Sequence, residues 1–488
     1  MSTNDPAPSI DKPHALPSEV LDAKPIVAPD QVDEKYRTTK YEIWAYYAYY
    51  IGNNGLSLFN FAPTAFQNLL YQAAGDSERL PFIGKQRSIN SVVLLSNGIS
   101  FAIQIAVFLV LGSFADFGTW RPNILIALSI IAYAVGFGWL GVHTSDKWHV
   151  GVGLYMVGLI AYQTTLTFWT AAFPALARNT AEMKVHADDL AAGKISRAEY
   201  DYEDSMKRSQ LANVAFYVQS VAEIVILAVI VGIMFGLDVN ASEANNNWGL
   251  SVLIAFASGV WLLVSLPWFF LEKRRPGQDP GDRNIVLAGL SQLFYAMRQI
   301  WRLKQSLLYL VGYFLLGDSL NTTVTVISTL QNSIVAYNTL QLTYLLIVGI
   351  AAQVRAVPFE VPVSILVHRL TFLQVYQAFY GLFVCPWYSY SQIMISEVTP
   401  RGHEFLFFSL FSIVGKTSSF IGPIVSSAII DASPSGNAST PFYFLFALSL
   451  VSFAILVVGV DLQKSRLEQE QFLQEKKEML ESETMLEL

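Results

Sequence analysis

The chain has 488 residues, 53% of them apolar and only 14% charged, with a net charge of −7 and a mean hydropathy of +0.40. A soluble domain carries about 25% charged residues, so the composition excludes a soluble enzyme or binding module and leaves a membrane protein. The single cysteine, Cys385, excludes an intrachain disulfide.

Residues 1–40 hold six prolines and mixed charge without an apolar core, the pattern of a disordered cytosolic tail and not of a signal peptide. Apolar stretches then recur to residue 461. A helix needs about 20 mostly apolar residues to cross the hydrocarbon. Spans are expected near 42–66, 92–112, 123–142, 150–176, 211–237, 248–270, 305–329, 336–352, 375–397, 404–430 and 441–461. The runs lack the alternation of barrel strands, so an all-α polytopic bundle is expected.

The first span is interrupted by Asn53, Asn54 and Gly55, with Pro63 eight residues on. Such breaks free backbone groups to face a cavity. Gln163, Thr164 and Thr165 are expected to do the same in the fourth span. The second span ends in Gly112-Ser113-Phe114-Ala115-Asp116-Phe117-Gly118-Thr119-Trp120-Arg121. This is close to the loop signature of facilitator transporters, with its second glycine one residue early. Gly112 would allow close helix approach, Asp116 would cap a helix or pair with a cation across the interface, and Gly118 and Arg121 complete the pattern.

The stretch 177–210 is too charged to cross and is expected to form surface helices. The polar stretch 271–304 separates six spans, 41–270, from an incomplete set, 305–461. Six spans, a long cytosolic loop and a second set is the plan of the major facilitator superfamily, whose halves are repeats. Gly52-Asn53 and Gly317-Asp318 hold matching mid-span places in the first and seventh spans. The tail 462–488 reads as a frayed, acidic cytosolic helix.

Lys and Arg fix an orientation. With the amino terminus cytosolic, the first tail holds five, the loop after the fourth span six and the loop after the sixth span seven. The opposite loops hold four: Arg79, Lys85, Arg87 and Lys147. Glycosylation sequons at Asn240 and Asn437 then fall on the lumenal side. A lumenal Asn437 and a cytosolic tail require an even number of spans, yet eleven are legible. The missing twelfth is expected at 353–374, where the longest apolar run, Val361 to Val367, has seven residues.

Polar groups within the membrane are costly and mark functional sites. Asn53, Glu223, Asp318 and Lys416 each lie about 11 to 13 residues from the cytosolic end, roughly 16–20 Å into a ~30 Å core. Transporters place their site at that depth. Asp318 stands in a polar run with Asn321 and is the sharpest candidate, either as partner of a substrate ammonium or as a proton carrier. A structural pair, with Lys416 for example, is the alternative. Lys416 would otherwise meet a substrate carboxylate. Tyr388, Tyr390 and Gln392 give the stretch after Cys385-Pro386 an aromatic, hydroxyl-rich face suited to an apolar side chain or to plain packing. No metal cluster, phosphate loop or nucleophile-and-base set is legible, so no cofactor, enzymatic activity or nucleic-acid partner is expected.

Several stretches together resemble the fungal autophagy-related protein 22 family of vacuolar effluxers. They are Ser113-Phe114-Ala115-Asp116 with Thr119-Trp120-Arg121-Pro122, Gln219-Ser220-Val221-Ala222-Glu223, Gly317 to Thr323, Gly381 to Ser391, Glu397 to Gly402 and Gly415 to Pro423. The resemblance covers roughly 41–352 and 375–461. It implies a facilitator fold in the vacuole membrane and export of amino acids, leucine and other large neutral ones, after autophagic breakdown. An acidic lumen would favour proton symport to the cytosol. It also implies a full ninth span, from which 353–374 departs. The rival readings are a membrane scaffold or sensor that does not transport, and a carrier of lipid or sugar.

Overall fold

The computed structural model describes residues 34–116, 119–275, 284–334, 339–356, 387, 391, 394–395, 397–400, 410–411, 414–415, 418–433 and 437–486. The expected absence of a span at 353–374 therefore falls largely outside the described residues. So do the apolar stretch at 375–397, except for a few positions, and the first half of the stretch at 404–430.

Among the described residues the fold is all-α apart from one hairpin. Among the described residues, seven helical segments are long and apolar enough to cross a membrane: Ile89–Phe114, Arg121–Gly141, Ser145–Arg178, Glu199–Gly236, Glu243–Leu271, Lys304–Gln331 and Pro441–Gly459. Shorter apolar helices cover Thr339–Ala351 and Ile421–Ala432.

The first expected span is longer than its apolar run and is broken in the middle. Helix α1 (Lys40–Gly52) stops at Asn53, a π turn covers Leu56–Phe61, and α2 (Ala62–Ala74) continues with Pro63 in its first turn. Proline is tolerated there because the first turn has no partner for its N–H. A hairpin of β1 (Arg79–Phe82) and β2 (Lys85–Ser88) leads to α3 (Ile89–Asp116), followed by α4 (Arg121–Gly138) and α5 (Trp148–Ala171).

The charged stretch after α5 is helical, as expected, in α6 (Phe173–Arg178), α7 (Ala181–Ala191) and the start of α8. Thr180 and Ser196 cap α7 and α8 by accepting from the N–H groups of Met183 and Glu199. Helix α8 (Arg197–Gly236) carries its charged first turns into the apolar span without a break, and α9 (Glu243–Leu271) returns.

The separating stretch is not a simple loop. It holds the amphipathic helix α10 (Ile285–Ile300), which runs into α11 (Lys304–Ile334) and then α12 (Thr339–Ala356). After α13 (Ile421–Ala432) and α14 (Pro441–Ala454), the last stretch forms α15 (Leu462–Leu486).

Two ends of the bundle are defined by side-chain bonds. At one, here the hairpin end, Gln72 donates to Glu243 at 3.1 Å and Arg87 pairs with Asp431. Both sequon residues, Asn240 and Asn437, are exposed in the turns after α8 and before α14. At the other, the tail end, Arg275 pairs with Glu42, and Thr38 bonds Leu176 and Asn179.

The larger core is built from α1 to α5, α8 and α9. Its centre is aromatic: Trp169 stacks on Tyr46 and on Tyr50, with ring centroids 4.3 Å apart in each case. A smaller core joins α10 and α11 to Ile395, Val398, Leu410, Phe411 and Phe472.

Candidate functional site

The break in the first span is a built feature. Gly55 has φ +93°, a left-handed conformation that costs glycine nothing. Asn54 accepts from the N–H of Leu56 at 2.9 Å and so holds the turn. Asn53 is fully buried, its Nδ2 is 3.5 Å from Thr165 Oγ1, and its Oδ1 has no partner among the described residues. Opposite Gly55 stands the Tyr162 hydroxyl, 2.9 Å from where a Cβ would be. Glu223 on α8 is within electrostatic range of that phenol and accepts from Gln219 Nε2. Both Gln219 and Glu223 are buried.

The second group lies on α11. Asp318 is 1% exposed, and its Oδ1 accepts from the backbone N–H of Gly422 at 3.0 Å and from Thr322 Oγ1 at 3.4 Å. Asn321 donates to Ser419 Oγ at 2.9 Å. Ser418–Phe420 is a 3-10 turn and α13 begins at Ile421. The carboxylate therefore meets an N–H in the first turn of α13, where helices leave donors unsatisfied and favour negative charge. A Cβ on Gly422 would lie 2.0 Å from Thr322 Oγ1, so this approach requires glycine.

Asn53, Glu223, Asp318 and Lys416 were expected in one layer. Asn53 reaches Thr165 and Glu223 lies within range of Tyr162, both on α5, whereas Asp318 and Asn321 hold the start of α13. Among the described residues no bond joins the two groups. Lys416, Tyr388, Tyr390 and Gln392 lie outside the described residues. The fourth span corrects an expectation: α5 is continuous through Gln163, Thr164 and Thr165. Its hydroxyls satisfy themselves within the helix, Thr164 to Ile160 O at 2.6 Å and Thr165 to Tyr162 O at 2.8 Å. Gln163 is half-buried and does not mark a break.

In the loop signature, Gly118 and the side chain of Asp116 lie outside the described residues. A Cβ on Gly112 would meet nothing within 4 Å among the described residues, so that glycine makes no close approach there. The close approach is one residue on, where Gly289 of α10 would bring a Cβ to 3.0 Å from Ser113 Cα. Arg121 donates to Ala171 O at 3.2 Å and pairs with Glu272 at 3.4 Å. Glu272 is one residue past α9; burial pushes its carboxyl up to about 7, against the pull of Arg121.

Beside it, Arg275 forms a two-pronged pair with Glu42 at 2.8 and 3.0 Å and also donates to Tyr36 O and Thr38 Oγ1. Removing one partner of such a buried pair costs about 3–5 kcal/mol. Sequence reading counted Arg275 only as a topological charge, but it ties the start of α1 to the end of α9.

A polar stripe on α3 also went unread. Asn97, Ser100 and Gln104 recur at helical spacing on one buried face. Asn97 donates to Tyr155 at 3.1 Å, while both amide atoms of Gln104 lack partners among the described residues. The signal was three polar residues spaced by three and four within an apolar run.

The family described as "Vacuole effluxer Atg22 like" matches residues 38–360 and 368–470. Autophagy-related protein 22 of Yarrowia lipolytica is 21% identical over 468 residues, covering 80% of this chain and 79% of that protein. The protein of the same name from Pichia angusta is 24% identical over 466 residues, covering 81% and 80%. Among solved structures, the nucleoside transporter NupG is similar with a TM-score of 0.48 at 12% identity, covering 85% of this chain and 98% of that one. A bacterial homologue of the human lysosomal transporter Spinster, in an inward-facing and unoccupied conformation, gives 0.45 at 12% identity, covering 90% and 98%. With a family match across most of its length, this multi-pass membrane chain belongs to the Atg22-like vacuole effluxers.

Proposed function

We propose that the chain is a vacuole-membrane carrier that exports amino acids, leucine and other large neutral ones, from lumen to cytosol by alternating access. The observation that carries this reading is the effluxer family match together with the break in the first span, whose turn Asn54 holds, and the start of α13, held by the buried Asp318. Interrupted spans with half-helix ends are how carriers present backbone groups to a substrate. The tail end is cytosolic and the hairpin end lumenal, the orientation that positive charge and the two sequons favour. The two sets of spans, 41–270 and 305–461, are the rocking halves of a facilitator-type plan, and α10 bridges them.

Asp318 has a role in this cycle that its geometry supports. Among the described residues both of its bonds fall on Oδ1, and Oδ2 is offered to the substrate ammonium or to a proton. Lys416 or the N–H groups near Asn53 receive the carboxylate. Glu223 is the second candidate proton carrier, and Tyr388, Tyr390 and Gln392 wall the substrate side chain. The family match breaks at 361–367, inside 353–374, which supports a departure from the relatives in this stretch.

The test is leucine release from purified vacuoles with and without the protein, followed by counterflow in vesicles reconstituted with the full chain. Release that depends on the protein and competition by other large neutral amino acids are expected. An unchanged rate in vacuoles lacking it overturns the reading, and competition by sugars or lipids alone reassigns the substrate.

A further inference from the structure

Helix α10 (Ile285–Ile300) has more apolar surface than the protein uses. One stripe, Gly289, Leu293, Ala296, Ile300 and Leu303, faces the bundle. Gly289 sits against Ser113, and Ala296, Ile300 and Leu303 enter the smaller core. A second stripe, Leu287, Leu290, Phe294, Met297 and Trp301, follows the same alternation of three and four residues about a third of a turn away. Among the described residues it is uncovered: Leu287 is 65% exposed, Phe294 67% and Trp301 70%. The remaining side carries Ser291, Tyr295, Arg298 and Arg302, all exposed. Arg302 also lies 3.8 Å from Glu475.

The height of the helix decides what covers the second stripe. Ser113 is in the last turn of α3, and α10 runs directly into the start of α11. Helix α10 thus lies across the level at which the spans leave the hydrocarbon. A helix with one apolar and one basic side at that level lies in the plane of the interface, and tryptophan is enriched there.

We infer that the outer apolar stripe of α10 is seated in the bilayer interface at the tail end, with Arg298 and Arg302 at anionic lipid headgroups. The arginines flank the buried stripe, as basic residues do on membrane-surface helices. Since α10 touches both Ser113 of the first set of spans and the core of the second, the lipid surface bears on a segment that links them. The inference needs only a chain in a membrane and is independent of the transported substrate.

The experiment uses the full chain with Cys385→Ser and one new cysteine at a time: Leu287→Cys, Phe294→Cys, Trp301→Cys and the polar-side control Ser291→Cys. Each is labelled with bimane and reconstituted in phosphatidylcholine vesicles with or without phosphatidylserine. Bromine-labelled acyl chains are expected to quench positions 287, 294 and 301 at least about twofold more than position 291, and aqueous iodide to do the reverse. Equal iodide quenching at all four positions overturns the inference. Protection from iodide without quenching by bromolipid assigns the stripe to a second copy of the chain and also overturns it. Arg298→Gln with Arg302→Gln is expected to abolish the added protection given by phosphatidylserine. Retention of that protection overturns the headgroup assignment.

Discussion

Asp318 shows how one side chain serves two ends. Its Oδ1 holds the first turn of α13, and its charge is the feature that the proposed transport uses. Asp318→Asn keeps an acceptor for Gly422, so the protein should fold while leucine export falls about tenfold, the loss of one charge-assisted contact. Asp318→Ala should in addition cost about 1–3 kcal/mol, because the buried N–H of Gly422 loses its partner. Thermal unfolding and vesicle export, measured on both variants, separate the two effects; normal export by Asp318→Asn excludes a role for the charge. Glu272 gives a pH dependence. Its folded-state value near 7 lies above the ordinary 4.5, so the folded state holds the proton more tightly. The stabilisation is full below about 4.5 and is lost as pH rises through about 7. The thermal midpoint of the purified protein should therefore fall across that window, and Glu272→Gln should flatten this component. An equal slope in the variant would place the dependence elsewhere.

Among the elements, the broken first span was readable, because Asn53-Asn54-Gly55 is local turn chemistry inside an apolar run. Its continuation to Ala74 was not, since Gln67 and Gln72 interrupt the apolar pattern and are satisfied by partners far along the chain. Gln67 donates to Thr329 O at 2.8 Å, and Gln72 to Glu243. The docking of the last helix, α15, was unreadable for the same reason. Its acidic surface suggests fraying, yet Glu468 accepts from the first turn of α11, Gln305 N, at 2.9 Å, and Phe472 is buried in the smaller core. Phe472→Ala should destabilise the protein by about 3 kcal/mol. Denaturant unfolding of the full chain checks this; a change within error would mean that α15 docks without energetic consequence.

For the whole molecule, the contacts between α2–α3 and α11–α13 gather at the hairpin end. Arg87 pairs with Asp431, Ser91 Oγ is 2.8 Å from Ser427 Oγ, and Gln67 reaches Thr329. If the halves rock, these contacts must part. A disulfide between Ser91→Cys and Ser427→Cys, in a Cys385→Ser background, should arrest leucine exchange, and reduction should restore it. Continued exchange by the cross-linked protein would rule out an opening at this end. The orientation is checked independently: Asn240→Gln and Asn437→Gln should each remove a glycosidase-sensitive mass shift in the vacuolar protein. Absence of any shift in the parent removes the sequon support for a lumenal hairpin end.

The sequence by itself determined that this is a polytopic helical membrane protein, where the seven long apolar helices among its described residues fall, and where the first span breaks. Each follows from local composition: long apolar runs have nowhere to go but the bilayer, and Asn53-Asn54-Gly55 sets three turn-forming residues together inside one, whereas the single pair Asn97-Gly98 leaves α3 continuous. Only the tertiary structure decided which polar groups act together. The Asp318 carboxylate meets Gly422 across 104 positions of the chain, and Glu42 meets Arg275 across 233. No local pattern encodes such pairs, because they depend on which helix faces are brought together. The same packing left one stripe of α10 covered by protein and the other uncovered, a distinction that two identical apolar spacings do not reveal.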